Sequence, residues 1–142
     1  MHISALIRTF APVFLCVATS AAFADGAYVS DKVLVTINRP NTWFRTDFPI
    51  VGPSLPSTAR INSISWKYDL GAVPAGGTLQ AQICHGTTLA CQDITAMKSG
   101  TTNYFQNKPA TTPFFMQYRI NRTSSFPPVS GRAAQVIVNW NQ

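Results

Sequence analysis

Between Tyr28 and Asn38 the chain reads YVSDKVLVTIN, with apolar residues at Val29, Val33, Val35 and Ile37. Even spacing puts these side chains on one face of an extended chain, so the segment is expected to be a half-buried strand with that face inward. RINSISWKYDL, from Arg60 to Leu70, alternates in the same way. Ile64, Trp66, Tyr68 and Leu70 face in, while Ser63, Ser65, Lys67 and Asp69 face out. After the turn signal VPAGG, the run TLQAQIC places Leu79, Ala81 and Ile83 on one face. LACQDIT pairs with it if His85 to Ala90 form the connection, which sets Cys84 opposite Cys91 in an antiparallel hairpin. Further strands are expected at TNYFQ, at PFFMQYRI with Phe114, Met116, Tyr118 and Ile120 on one side, and at AAQVIVNW. Seven or eight short strands with few helix formers between turns predict an all-β domain, an antiparallel β-sandwich of immunoglobulin-like or similar type.

One segment breaks the pattern. From Arg39 to Arg60 the chain holds four prolines among Trp43, Phe44 and Phe48. Proline cannot donate to a central ladder, so this is a long loop or an edge strand with a proline-rich exit. Long loops in compact domains are often functional, and aromatic and arginine side chains dominate interface energetics. Trp43, Phe44, Arg45 and Phe48 are therefore candidate partner-binding residues. The plainer reading is that the aromatics cap one end of the core.

The first 24 residues have a different character: one firm positive charge at Arg8, an apolar run from Phe10 to Ala18, and small residues ending in Ala22-Phe23-Ala24. That is the layout of a secretory signal cleaved after Ala24. Its apolar run, about 10 residues against the roughly 20 of a membrane span, is too short for stable membrane insertion. Residues 25–142 are expected to form a single domain. Loss of Arg8 leaves ten Lys and Arg against five Asp, a net +5, with no Glu. These charges are scattered singly, which argues against nucleic acid and leaves an acidic partner or an anionic surface.

Export also decides the cysteines. Cys16 goes with the signal, and the remaining pair, Cys84 and Cys91, is most simply a disulfide stapling the hairpin. A zinc site wants three or four ligands, and C-H-x5-C-x-D puts neighbouring candidates on opposite faces of a strand. A C-x-x-C redox spacing is absent, and His85 reads as a loop residue. One histidine and five isolated aspartates in residues 25–142 offer no evident acid-base pair, and no GxSxG elbow occurs. The AGG at 75–77 lacks the strand-to-helix context of a phosphate loop. No catalytic, metal or cofactor-binding residue is assigned, and no enzymatic activity is expected.

The order of features is more specific than any one of them. SISWKYDL at 63–70, PAGG, AQIC with a second cysteine after it, SGTTNYF at 99–105, ATTPFFMQYRI, and PPVSGRAAQVIVNW at 127–140 together resemble the FlhE family of periplasmic flagellar proteins. The resemblance implies a periplasmic, non-enzymatic accessory role in flagellar assembly, chaperone-like or restraining proton flow through the export apparatus, in support of motility and swarming. Its implied partners are basal-body, rod or export-gate proteins, and a weak homo-oligomer is compatible with it. Two other classes of small exported β-sandwich are the alternatives: a fimbrial or adhesin-like subunit, and a carbohydrate-binding module. Trp43, Tyr104 and Trp140 would be candidate platform residues for the module, against the plainer reading that each is core.

Overall fold

A computed structural model describes residues 25–142; the signal segment read from the sequence, residues 1–24, lies outside the described residues. The eight strands are β1 (Gly26–Val33), β2 (Phe44–Phe48), β3 (Arg60–Leu70), β4 (Thr78–His85), β5 (Cys91–Asp93), β6 (Ser99–Thr102), β7 (Phe114–Asn121) and β8 (Gly131–Asn141). They form two antiparallel four-stranded sheets, in the orders β1-β8-β3-β6 and β2-β7-β4-β5. The expected antiparallel sandwich is present, and its strand order is that of a jelly roll. The chain behaves as one long hairpin folded over on itself. Its nested pairs β4 with β5, β3 with β6, β2 with β7 and β1 with β8 fall alternately into the two sheets. β2 is an edge strand, free of proline itself and bounded by Pro40 a few residues before it and Pro49 directly after it, in keeping with the edge strand and proline-rich exit expected there.

The alternation read from β3 and β7 holds. Ile64, Trp66, Tyr68 and Leu70 are buried, as are Phe114, Met116, Tyr118 and Ile120. A register shift between Ile61 and Ser63 buries Ile61 as well. On β4, Ala81 and Ile83 are buried and Leu79 packs against the core.

Two of the strand expectations fail. In β1 the inward residues are Tyr28 and Ser30, while Val29, Val33 and Val35 are 42%, 70% and 46% exposed. The register with β8 sets this frame, pairing Tyr28 with Val138 and Ser30 with Val136, both of which point into the core. A tyrosine inward also covers more apolar surface than a valine would. The alternation cannot continue beyond Val33, because the chain crosses there to the other sheet, burying Leu34 and Ile37 on the way. The strand expected at TNYFQ is the second failure. The pairing residues are Ser99–Thr102, and residues 104–107 turn tightly, with Asn107 at φ 66°, to drive Phe105 into the core. Gly100 holds β6 in place because it lies opposite Trp66, where a Cβ would come within 2.6 Å of the indole.

At the tip of the folded hairpin Cys84 lies opposite Cys91, and the two are bonded. Gly86, at φ 72°, supplies the left-handed turn, and His85 N donates to Ala90 O. His85 is not a loop residue. It ends β4, is buried, and packs against Phe114 and Phe105 with ring centroids 5.1 and 6.1 Å away. Its Nε2 lies 2.9 Å from the Pro109 carbonyl, to which it donates. Burial lowers its pKa; the Pro109 hydrogen bond opposes that shift, and Lys108 adds to it.

Replacing both cysteines by alanine should lower the unfolding free energy by about 2–3 kcal/mol on the chain-entropy estimate, read as a fall in urea midpoint. His85 generates an acid dependence. The unfolded chain takes up its proton near pH 6.5, about the ordinary value, and the folded chain only at lower pH. The unfolded state therefore binds more protons in between, so stability is complete above about 6.5 and falls as pH drops towards the folded value. Denaturant titrations between about pH 5 and 7.5 should show that slope, and His85→Phe should flatten it.

Candidate partner-binding face

The two faces of a strand do different work, and in the β2-β7-β4-β5 sheet the outward one is chemically distinctive. The register lays it out in rows across the strands. Asp47, Phe115, Cys84 and Cys91 form one row, and Arg45, Gln117, Gln82 and Asp93 form the next. Arg119 and Gln80 are opposite each other in a third row, with Trp43, just before β2, stacked beside Arg119.

The third row is held together by directed contacts. The Arg119 guanidinium lies over the Trp43 indole, 4.6 Å from its centroid. Arg119 Nε donates to Gln80 Oε1 at 2.6 Å, and Asn121 Nδ2 donates to the same oxygen at 3.0 Å. In the middle row, Gln117 Nε2 donates to Gln82 Oε1 at 2.7 Å. The Arg45 guanidinium sits 3.7 Å above the centre of Phe115, which it covers from solvent, and its Nε donates to Asp47 at 2.7 Å. The cation–π contacts and amide bonds fix two flexible arginines in known orientations.

β2 owes its position to a closed ring of hydrogen bonds. Val35 N donates to Thr46 Oγ1 at 3.1 Å, Thr46 and Tyr118 hydroxyls meet at 2.8 Å, and Tyr118 Oη donates to Val35 O at 3.0 Å. One arrangement of protons satisfies all three, with Thr46 donating to Tyr118. Burial pushes the Tyr118 hydroxyl pKa up, against the two hydrogen bonds, so it remains a donor.

The sequence-chosen residues divide here. Trp43 and Arg45 are exposed on this face and Phe44 is half-buried, but Phe48 is 1% exposed and part of the core. Phe48 therefore cannot offer its ring to a partner; it fills the end of the sandwich, as the capping reading has it. The proline-rich exit after it borders an open cleft of about 210 Å³ with Tyr28 and Trp140. Trp43 and Tyr104 are surface residues, contrary to their reading as core, whereas Trp140 packs partly against the core. Among the described residues no ring contact joins these three into a sugar platform. Gln80, Gln82, Gln117 and Arg119 were missed. The outward sets of β4 and β7, read together as an amide-rich surface, were the available signal. Among the described residues no group of His, Cys, Asp and Glu could hold a metal ion.

A disulfide-stapled β-sandwich with an ordered arginine and amide face is the class of protein that the fold defines. The family model for the flagellar protein FlhE matches residues 47–141, and the chain belongs to that family, which makes it a flagellum-associated protein. A crystal structure described as FlhE superposes with a TM-score of 0.69 at 26% identity, covering 82% of this chain and 96% of that one. No curated protein matches the sequence.

Tyr118→Phe should leave the Val35 carbonyl without its donor and cost about 1–3 kcal/mol of stability. Hydrogen exchange at Thr46 and its neighbours in β2 should quicken more than in β8, since the ring anchors β2.

Proposed function

We propose that this chain is an exported, non-enzymatic accessory protein of the flagellum, which binds a basal-body, rod or export-gate component from the periplasmic side. The FlhE family match over 47–141 carries the proposal. The Cys84–Cys91 disulfide supports an oxidising compartment, in keeping with the signal-like residues 1–24. Binding would act in one of two ways: chaperone-like, keeping flagellar subunits from assembling in the wrong place, or as a restraint on proton flow through the export apparatus. A surface of fixed donors and aromatic rings suits recognition of another protein better than turnover of a substrate.

Deleting the gene in the native host should impair swarming, misplace flagella or lower cytoplasmic pH in flagellated cells. The intact chain supplied in trans should restore each trait, and a chain without residues 1–24 should not. Normal behaviour of the deletion strain on all three readouts would remove the proposal.

A further inference from the structure

The two ordered arginines differ in one respect. Arg45 has a carboxylate of its own, because Asp47 lies against it as both hydrogen-bond and ion-pair partner. Arg119 has none: among the described residues no carboxylate comes within 4.0 Å of its guanidinium. Yet Arg119 is the more completely prepared of the two. Trp43 supports the plane of the group and Gln80 holds its Nε, and Asn121 in turn fixes Gln80. Among the described residues no hydrogen bond or ion pair engages its two terminal nitrogens, which belong to a fork whose geometry matches the two oxygens of a carboxylate. An arginine immobilised in advance loses less conformational entropy when it binds.

We propose that the outer face of the β2-β7-β4-β5 sheet is a docking surface for an acidic segment of a partner protein, with Arg119 receiving a carboxylate and Trp43 lying beside the bound chain. Charge argues for this occupant. Residues 25–142 carry a net +5, and the arginine on this face that lacks an internal counter-ion is Arg119. The face also has a direction. Arg119 and Trp43 stand in one row, while Asp47 lies about 14 Å away along the strands, four residues on at roughly 3.4 Å each. Asp93 closes the far edge of the middle row. These aspartates repel an acidic chain, so its carboxylate is held to the Trp43–Arg119 end. Arg45 is a latent second site, masked by Asp47. A sugar is a poorer fit, because the Trp43 ring is engaged by Arg119.

The inference rests on the protein-binding reading above but does not depend on the flagellum. The test uses the purified, disulfide-bonded protein and a labelled glutamate-rich peptide, with a glutamine-for-glutamate peptide, inorganic phosphate and an N-acetylglucosamine oligomer alongside. The glutamate peptide should bind saturably, move the Trp43 indole and Arg119 Nε–H resonances in NMR spectra, and weaken as salt is raised. Arg119→Lys keeps the charge and loses the fork, and should weaken binding about tenfold, the effect of losing one bidentate contact. Gln80→Ala should weaken it less, and Arg45→Ala hardly at all. Asp47→Asn should tighten it by unmasking Arg45. Thermal melts of each variant at the wild-type midpoint would establish that the fold is kept. Equal binding by the Arg119→Lys and unmodified proteins would overturn the proposal, as would tight binding of the glutamine peptide, of phosphate alone or of the sugar. A silent deletion phenotype would remove the flagellar reading and leave this result standing.

Discussion

Antiparallel pairing that begins at one covalent closure organises the whole domain. The bond between Cys84 and Cys91 fixes the register of the innermost pair of strands, and each later pair nests outside it: Ile64 with Thr102, Phe44 with Tyr118, Gly26 with Trp140. Loop closure grows more costly with separation, though only logarithmically, so each pairing lowers the entropic cost of the next. The tip is therefore the most local part of a fold otherwise made of distant contacts, and it is the part secured by a covalent bond. Beneath it, His85, Phe105 and Phe114 tie the tip to the segment that leads into β7.

Because pairs alternate between the sheets, neighbouring stretches of sequence end up in different layers. The layers must then be held in register across the core, partly by apolar contact and partly by the Val35–Thr46–Tyr118 ring. A buried polar ring is stabilising only when every member is satisfied, and this one is. It fixes the edge strand β2, and with it the row in which Trp43 meets Arg119. The contact surface thus inherits its order from inside the sandwich.

Much of the fold was legible in the chain itself. β3, β4 and β7 carry distinct apolar and polar faces, so their alternation has one interpretation, and a pair of cysteines either side of a short turn has few others. In β1 the valines line the outer side, so the apolar pattern points one residue out of frame; the true frame depends on β8, more than a hundred residues away in sequence. β6 lies ahead of its apolar pattern for a related reason. Phe105 looks like a strand residue, but its role is to plug the core from a turn. The binding face was the least legible feature, since Trp43, Gln80 and Arg119 lie far apart in sequence and only the tertiary register brings them together. Phe48 shows the converse, sharing a segment with Trp43 and Arg45 yet facing the core.

The outermost pairing has a consequence for how the protein comes into being. β1 opens the domain, β8 closes it, and each is the other's neighbour in the same sheet. A chain delivered amino-terminus first must leave its first strand waiting, unpaired, until the last one emerges. The sandwich closes only after the whole domain is available, because its first and last strands complete one another.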